Sequence, residues 1–553
     1  MPIVVVCLSV YAAGYLLYAR YLGRRLFDLR PDALTPARAL DDGIDYVPTH
    51  RFVLFGHHYA SITGLSPMLG PAIAVIWGWL PAMTWVVVGA IAVGCVHDFG
   101  ALVVSARAEG KSIGFVAEGL VGPRAKPLLH AIIFFGVSLA MGVFAYVIAR
   151  LFTPEFYPQA VLPSVVILVL AVSIGWLVRR RGLRLWPLVV LAFVLMLLTI
   201  GLSPAVGWAW NSLGGWIVVL LVYAWSASVL PVWSLLQPRD FLNSLVLYLG
   251  LGLTFIGLFV LDPRFAAPVI DPRPPGAPAL FPFVFIVIAC GAASGFHALV
   301  ASGTTAKQLA RETDARAIGY GGMIGESLLG LAAVLACTAG FSSRTAWSEH
   351  YASWQALASL GSQMSSFIDG AAGFVAALGV PLEQARSLIA VMVVSFALTT
   401  LDSATRLLRY NIEEIGESAR VRALSNRYLS STVAVAAIAF FAFYEIDGQS
   451  AGLALWQLFG STNQLLAGLT LLVVSLYLIR RRRPALPYVL PMLFMMASTL
   501  TAMVMKLGDY LREQQWLLLG VGSMITAIAV WLIVESGFAL RRFRLEGSAR
   551  VVR

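Results

Sequence analysis

The chain has 553 residues, of which 59% are hydrophobic and only 12% are charged, and its mean hydropathy is +0.83. This composition is typical of a protein with many membrane-spanning helices and excludes a soluble globular protein. The formal net charge is +11. In a membrane protein the distribution of that charge matters more than its sum, so we expect no nucleic-acid partner.

Sequence motifs for metal and nucleotide chemistry are absent. The four cysteines, at positions 7, 95, 290 and 337, stand singly in apolar runs without C-x-x-C spacing, so they are interpreted as small core residues. There is no P-loop for an ATP-driven pump and no H-E-x-x-H for a zinc protease. We therefore expect no metal site and no cofactor.

Fifteen apolar segments are long enough to span a bilayer, with approximate limits 2–20, 52–77, 82–106, 127–150, 160–178, 185–203, 212–236, 241–261, 280–302, 317–341, 386–408, 428–445, 451–479, 485–505 and 515–540. When the connections are assigned alternately to two sides, all but seven of the 39 basic residues fall on one side. The seven exceptions are Arg150, Arg264, Arg273, Arg344, Arg386, Lys506 and Arg512. By the positive-inside rule the N-terminus lies outside and the C-terminus inside. The first segment is followed by arginines and not by a cleavage site, so it is interpreted as an anchor helix.

The second segment carries an unusual density of helix breakers and polar side chains. Within Gly56–Pro71 there are two prolines, three glycines, two histidines, two serines and a threonine. Proline removes a backbone donor and glycine costs backbone entropy. In hydrocarbon the freed backbone groups must be satisfied by protein, water or ligand. An interrupted helix of this kind forms the solute site of many secondary transporters; a proline-kinked helix without a ligand is the alternative.

A second interruption is predicted in the seventh segment, where Pro231 lies between serines and large aromatic residues. Segments two to six and seven to eleven then form two five-helix repeats of opposite orientation, each opening with a broken helix. We expect the breaks, near Gly64–Pro67 and Ser228–Pro231, to lie side by side at mid-depth. The predicted domains are an anchor helix and cytoplasmic connection (1–51), a ten-helix inverted-repeat core (52–409), and four C-terminal helices with a basic tail (410–553).

Polar residues in the remaining segments supply candidates for binding and coupling. In the ninth segment Ser294, His297 and Thr305 share roughly one helix face if the helix continues past Ser302. The hydroxyl groups on this segment suit a small cation or a carboxylate, with small-residue helix packing as the alternative. Intramembrane acids are expensive and usually face a polar cavity or a partner. They are Asp98, Glu326 and Asp402, and for Asp98 a structural ion pair near the inner surface is the alternative.

Short motifs lie in a characteristic order along the chain: Asp41–Asp45, His57-His58, Gly70-Pro71, His97–Phe99, Leu230–Trp233, Leu236–Asp240, Ala289–Ala292, Ser294–His297, Ser302–Lys307, Ile318–Gly322, Leu401-Asp402 and Asn463–Ala467. In this order they resemble the carbon-starvation protein family (CstA), part of the amino-acid and cation-coupled transporters with a LeuT-type fold. The resemblance implies uptake of peptides, or of small carboxylates such as pyruvate, across the inner membrane during carbon starvation. For the pyruvate-type members it implies proton coupling.

Half-helix N-termini carry partial positive charge and unpaired amides, which suit a carboxylate. We therefore expect an anionic or zwitterionic solute, bound by Gly64, Leu65, Ser66, Tyr223, Trp225, Ser226 and Ser294. The candidate coupling residues are His57, His58, Asp98, His297 and Asp402 for a proton, with Ser302 and Thr305 for sodium. Protons are favoured because the reference pKa of histidine, about 6.5, is nearest to neutrality. The first broken helix also lacks a carboxylate to balance sodium.

A metal- or haem-binding intramembrane enzyme is the rival from another class, because His57-His58 is similar to the adjacent histidines of copper–haem oxidases. Such a site needs further histidines on facing helices, and the chain has only seven. The predicted function is therefore a secondary transporter and not an enzyme. Proton symport is favoured and sodium symport is the alternative. The expected partners are a small-molecule solute and the lipid bilayer, and assembly into a homo-oligomer is left open.

Overall fold

The computed structural model describes residues 2–206, 210–357, 360–446 and 449–551, and these are almost entirely helical. The helices are α1 (Pro2–Leu26), α2 (Arg51–Ile62), α3 (Ser66–Trp77), α4 (Trp79–Ala106), α5 (Ile113–Leu120), α6 (Ala125–Leu151), α7 (Pro158–Arg181), α8 (Leu185–Ala205), α9 (Leu213–Val229), α10 (Leu236–Leu261), α11 (Leu280–Val287), α12 (Gly295–Val300), α13 (Glu312–Ala339), α14 (Arg344–His350), α15 (Leu360–Ala376), α16 (Leu382–Ala419), α17 (Arg427–Phe443), α18 (Trp456–Arg480), α19 (Leu486–Arg512) and α20 (Trp516–Val551). A π-helical turn, Ala301–Thr305, continues α12. Pro36–Ala39 and Ala451–Ala454 are single helical turns, and β1 (Glu445–Ile446) pairs antiparallel with β2 (Gln449–Ser450).

Eleven helices in the described part of the chain are long and apolar enough to cross a membrane, and the bent pair α2–α3 is a twelfth candidate. The helices α9 and α17 are apolar but shorter. The hairpin of α7 and α8 lies at the edge of the bundle and exposes large apolar side chains, including Val169, Val190 and Leu198. Such surfaces are unfavourable in water and suit lipid. These features make the chain a multi-pass membrane protein.

The predicted interruption of the second segment is confirmed. The helical backbone of α2 ends at Thr63, where φ is −80° and ψ is 92°, and α3 starts at Ser66 with its axis bent by 48°. Pro67 occupies the first turn of α3, where a helix tolerates proline because the missing N–H has no intrahelical partner.

The prediction of a second interruption at Ser228–Pro231, next to the first break, is wrong. α9 is continuous to Val229, and the proline follows its end, a position where proline commonly terminates a helix. α9 packs against α6, α16 and α17, and Val232 beyond it donates a backbone hydrogen bond to Ile44 of the connection before α2. The second broken helix is the ninth segment, in which α11 ends at Val287 and α12 begins only at Gly295.

The two broken helices are held inside the bundle by different neighbours. α2 packs against α10 and α16, whereas α3 packs against α13 and α15. α11 packs against α3 and α19, and α12 packs against α18 and α4. The 38-residue α16 runs through the centre, where it also packs against α6, and its side chains are buried from Ser387 to Ile412. Both breaks therefore lie in the protein interior.

Candidate functional site

The two helix breaks are in contact with each other. A Cβ atom added to Gly70 of α3 would lie 2.5 Å from the carbonyl oxygen of Val287, the last residue of α11. Within the second break Gly291 has a φ of +89°, which favours glycine, and a Cβ atom added there would lie 3.6 Å from the Cα of Pro67. Glycine at position 70 allows the two backbones to approach closely, and glycine at position 291 allows the left-handed backbone of the second break.

A small cavity of about 40 Å³ lies between the breaks, with Gly64, Ser66 and Cys290 in its wall. Most of its lining is apolar, and Thr400 and Asn463 add polar groups. A Cβ atom on Gly64 would come within 2.9 Å of the Phe144 ring and 3.1 Å of the Thr400 hydroxyl. A side chain at Gly64 would therefore project into this central cavity.

Beside the second break lies a buried cluster of histidines and acids contributed by α4, α12 and α13. Nδ1 of His297 is 2.9 Å from Oδ2 of Asp98, and Nε2 of the same ring is 3.1 Å from Oε2 of Glu326. The other oxygen of Asp98 is 2.7 Å from Nδ1 of His97. All four side chains are inaccessible to solvent. The contact with Glu326 has the distance of an ion pair but not the angles of a hydrogen bond, and neither oxygen of Glu326 has a hydrogen-bond partner among the described residues.

The contact between His297 and Glu326 requires an extra proton. A neutral imidazole carries one N–H, and the carboxylate of Asp98 accepts from Nδ1. The lone pair on Nε2 would then face an ionised carboxylate, which is repulsive. The 3.1 Å contact is attractive only if a proton lies on Nε2 or on the carboxyl group of Glu326. We call these four residues (His97, Asp98, His297 and Glu326) the proton cluster, because the buried contact between His297 and Glu326 is suited to binding one additional proton.

Donor atoms of Cys290, His297 and Glu326 all lie within 4.8 Å of one another, so these residues are close enough to share a metal ion. The ion-pair contact already explains why His297 and Glu326 are close. The sequence-based expectation of no metal stays a prediction.

A second buried charge network joins α2, α9, α10 and α16. Nδ1 of His57 is 2.5 Å from Oδ2 of Asp240, and the guanidinium of Arg239 contacts Asp240 at 2.6 Å and both oxygens of Asp402. The hydroxyl of Tyr223 donates to Asp402 at 2.7 Å. With two acids and one guanidinium in one buried network, each charge has a partner at short range.

His57 differs from His297 because it needs no extra proton. Its Nδ1 donates to Asp240, and its Nε2 accepts at 3.2 Å from the side-chain amide of Gln308. The amide orientation of Gln308 is set by Gln237, whose NH₂ group donates to the oxygen of Gln308 at 2.7 Å. A neutral imidazole satisfies both contacts, and through them His57 connects α2 to Asp240 on α10 and to Gln308.

The other predicted coupling residues are placed as follows. Nδ1 of His58 is 2.9 Å from the hydroxyl of Thr305, which connects α2 to the end of α12. The backbone carbonyl of Ser302 accepts from Ser105, and its own hydroxyl is buried without a hydrogen-bond partner among the described residues. Asp402 lies in the charge network around Arg239 and not in the proton cluster.

Of the predicted solute-binding residues, Gly64 and Ser66 line the central cavity and Leu65 is buried beside it. Ser294 lies at the end of the second break, where its hydroxyl donates to the Asn463 side chain at 3.2 Å. Three further residues were expected at the cavity but lie elsewhere: Trp225 donates to Thr432 on α17, Ser226 to the Val222 carbonyl, and Tyr223 to Asp402. Their placement at the cavity is wrong because α9 is not the second broken helix.

Several site residues were missed by reasoning from the sequence. Asp240, the partner of His57, lies beside Arg239 in a stretch that was noted only for its family resemblance. Asn463 was likewise noted in a motif of the family resemblance, yet its side chain accepts from the backbone N–H of Phe296 at 2.9 Å, in the first turn of α12. Its position within Gly460–Gln464, a polar stretch in an apolar helix, is a signal that could have identified it.

Sequence similarity to known proteins extends over most of the chain. The family model described as "Carbon starvation protein CstA" matches residues 1–345 and 340–502. The chain is 34% identical over 569 aligned positions to the "Peptide transporter CstA" of Mycobacterium tuberculosis, covering 90% of this chain and 74% of that protein. It is 37% identical over 351 positions to the "Pyruvate/proton symporter BtsT" of Escherichia coli, covering 61% of this chain and 48% of that protein.

Similarity to solved structures is weaker. A nucleobase-cation-symport-1 family transporter in a closed conformation matches with a TM-score of 0.45 at 14% identity, covering 89% of this chain and 93% of that one. Both curated relatives are named as transporters, and this confirms the prediction that the chain is not an enzyme. The family model and the identities show that the chain belongs to the carbon starvation protein CstA family.

Proposed function

We propose that the protein is a proton-coupled secondary transporter that imports a small carboxylate or a short peptide across the inner (cytoplasmic) membrane when carbon is scarce. The named relatives, a peptide transporter and a pyruvate/proton symporter, support both solute classes. The observation that carries the proposal is the buried contact of one imidazole, His297, with both Asp98 and Glu326, directly beside the contact of the two broken helices.

The order and packing of the helices support a core of two inverted five-helix repeats. Each repeat opens with a broken pair (α2–α3, α11–α12), continues with a long helix (α4, α13) and returns along another (α6, α16). The fourth and fifth helices are then α9 and α10 in the first repeat and α17 and α18 in the second. The packing is equivalent in the two repeats: α10 packs against α2 and α16, and α18 packs against α12 and α6. The α7–α8 hairpin is an insertion, so the proposed core runs from Arg51 to Arg480 and does not end at residue 409. Counting both broken pairs, α9 and α17 as spans gives fifteen, with the N-terminus outside.

The solute site in this proposal is the central cavity. The N-terminus of α3 at Ser66 supplies partial positive charge to a carboxylate, and Thr400 and Asn463 supply polar side chains. The cavity of about 40 Å³ has room for only a few water molecules. Binding of a solute must therefore widen the gap between α3 and α12, and this movement reaches the proton cluster through His297.

Sodium coupling is the second candidate, because hydroxyl groups of α16 approach the unwound end of α2. Oγ1 of Thr399 donates to the carbonyl oxygen of Ala60 at 2.9 Å, and Oγ1 of Thr400 donates to that of Ser61 at 3.3 Å. Unwound backbone carbonyls coordinate the coupling ion in transporters of this architecture. This position differs from the one expected at Ser302 and Thr305.

The test is uptake by purified protein in liposomes. Pyruvate and a dipeptide, each radiolabelled, are offered with an inward proton gradient, an inward sodium gradient or neither. We expect accumulation above equilibrium with the proton gradient alone, abolished by a protonophore. Accumulation that follows the sodium gradient and ignores pH would exclude proton coupling and favour the hydroxyl site on α16.

A further inference from the structure

A wide cavity of about 870 Å³ lies on the opposite side of the break from the sealed charge network. Its floor includes Ser66 and Cys290, which also line the central cavity. Its walls come from α3, from the C-terminal end of α6, and from α11, α18 and α19. We call this cavity the vestibule. Its volume falls within the range of sites that bind small molecules the size of a drug.

The vestibule opens to the outer face, given the orientation in the proposed function. In the inner direction the path is closed, because His57, Gln308 and Asp240 are completely buried between α2, α10 and the end of α12. The solute therefore meets the vestibule before it reaches the central cavity, and the structure is of the outward-open kind.

Two cations stand in the vestibule wall without an acidic partner. Arg150 lies at the end of α6 with its guanidinium 5.2 Å from the centre of the Phe156 ring, and Lys506 of α19 has its ammonium 5.5 Å from the Phe283 ring. Among the described residues neither makes a salt bridge within 4.0 Å. Glu445 is the one acid among the described residues of the wall, so the lining carries a surplus of positive charge.

This surplus is unexpected on the outer side. Only seven of the 39 basic residues fall on that side in the alternating assignment, and two of the seven line this one cavity. Basic residues distributed at random over the outer side would mostly lie at the protein surface, in contact with water or lipid headgroups, and not inside a cavity. A recess with low-dielectric walls concentrates the field of such charges and attracts ions of opposite sign.

We propose that Arg150 and Lys506 form a loading site for the carboxylate of the solute, which it occupies before moving to the central cavity. This inference rests on the proposed function. Arginine presents a planar fork that matches a carboxylate, and lysine supplies a second, more flexible donor. The aromatic rings beside both cations attract them through their faces but leave the N–H groups free to donate to a carboxylate. The carboxylate is shared by peptides and by small organic acids, so one site serves both solute classes.

The test is the concentration dependence of uptake by Arg150→Gln, Lys506→Gln and the double variant in liposomes, with pyruvate and alanyl-alanine as solutes. Each single substitution should raise KM about fivefold and leave the maximal rate nearly unchanged, because a solvent-accessible charge pair contributes modestly to affinity. The double variant should raise KM further. Arg264→Gln is the matched control, since Arg264 is also on the outer side but does not line the vestibule; its KM should stay that of the unmodified protein.

The outcomes separate this inference from the proposed function. Unchanged KM values in the double variant, while the unmodified protein imports either solute, would overturn the loading site alone. Import of neither solute by the unmodified protein at any proton gradient would overturn the proposed function and this inference with it. A lower maximal rate at constant KM would also count against loading, because it would show that the cations act after the solute has bound.

Discussion

Nδ1 of His297 lies 2.9 Å from Oδ2 of Asp98, and this contact connects the second broken helix to the helix that follows the first one. α12 and α4 also meet α13 here, since Glu326 lies on the other side of the same imidazole ring. A displacement of α12 during solute binding must change at least one of these two contacts. In the proposed mechanism the proton therefore responds to the state of the central cavity through these contacts.

Replacing His297 with glutamine should uncouple uptake from the proton gradient. Glutamine retains a hydrogen-bonding side chain but cannot carry the extra proton that the contact with Glu326 requires. We expect gradient-driven accumulation to fall about tenfold, within the usual range of coupling energies, while exchange of solute across the membrane persists. Uptake and counterflow are measured in liposomes between about pH 5 and pH 8, the range in which histidine titrates.

His130→Gln is the matched control for that experiment. His130 is also buried on a spanning helix, but it contacts Asn411 and Glu414 and no member of the proton cluster. Its variant should retain the pH profile of the unmodified protein. If His297→Gln keeps both its accumulation and its pH profile, the extra proton is not the coupling proton.

Replacing Gly64 with alanine should block transport without unfolding the protein. The added Cβ would lie 2.9 Å from the Phe144 ring, closer than real Cβ contacts allow, and it would occupy the central cavity. We expect uptake to fall while the unfolding temperature in detergent changes little. A second substitution, Phe144→Leu, should restore part of the activity by making room.

Gly373→Ala is the control for the glycine substitution, because Gly373 lies in α15 and a Cβ there would meet no atom within 4 Å. This change should leave uptake intact and stabilise the helix by up to about 1 kcal/mol. Normal uptake by Gly64→Ala would show that the solute does not pass through this cavity.

The first break could be predicted from sequence because proline and glycine act locally. Gly64 and Pro67 disrupt a helix wherever it packs. The second break could not be located by that rule, since residues 288–294 contain no proline and only one glycine, and single glycines are frequent in intact membrane helices. There the helix opens at Gly291, whose φ of +89° favours glycine, beside Pro67 of α3. Pro231 gave a false signal, because the same residue type that breaks a helix also follows the end of one.

The polar residues of the site were identified more easily than their partners. His297, Asp98 and Glu326 each stand out as titratable groups in apolar segments. Their convergence on one imidazole depends on how α4, α12 and α13 cross. Helix crossing is decided by packing between segments far apart in sequence, and the contact between His297 and Asp98 joins residues 199 positions apart. Local periodicity carries no information about it.

Breaking the charge network around Arg239 should destabilise the protein strongly. In Asp402→Asn the guanidinium of Arg239, which is 1% exposed, would keep only Asp240 as an anionic partner. Loss of one partner from a buried ion pair costs about 3–5 kcal/mol. The triple variant Arg239→Met, Asp240→Asn and Asp402→Leu should recover most of this loss, because it removes the guanidinium together with both of its acidic partners. Unfolding temperatures in detergent provide the measurement, and a triple variant less stable than Asp402→Asn would contradict the argument.

Asp45, outside the spanning helices, ties the connection before α2 to the C-terminal half of α16. Its carboxylate contacts Arg406 at 2.5 Å and Arg409 at 2.8 Å. Burial raises the pKa of Asp45, but the positive charges of Arg406, Arg409 and Lys307 outweigh burial and hold that pKa well below its usual range. A carboxyl group whose pKa is depressed by folding stabilises the folded state above its unfolded pKa, near about 3.9, and loses that contribution as the pH falls through the folded value.

Asp45→Asn should therefore lower the unfolding temperature at about pH 5 to 7, where the carboxylate is fully charged, and the difference from the unmodified protein should shrink below about pH 4. Hydrogen bonds to charged groups contribute about 1.5–3 kcal/mol each, so the effect at neutral pH should be easily measured. Asp41→Asn is the control, because the carboxylate of Asp41 is exposed. Within the described part of this connection, it accepts one hydrogen bond, from the backbone N–H of Gly43. A constant difference between Asp45→Asn and the unmodified protein from about pH 7 down to pH 2 would show that the charge of Asp45 is not what holds the connection against α16.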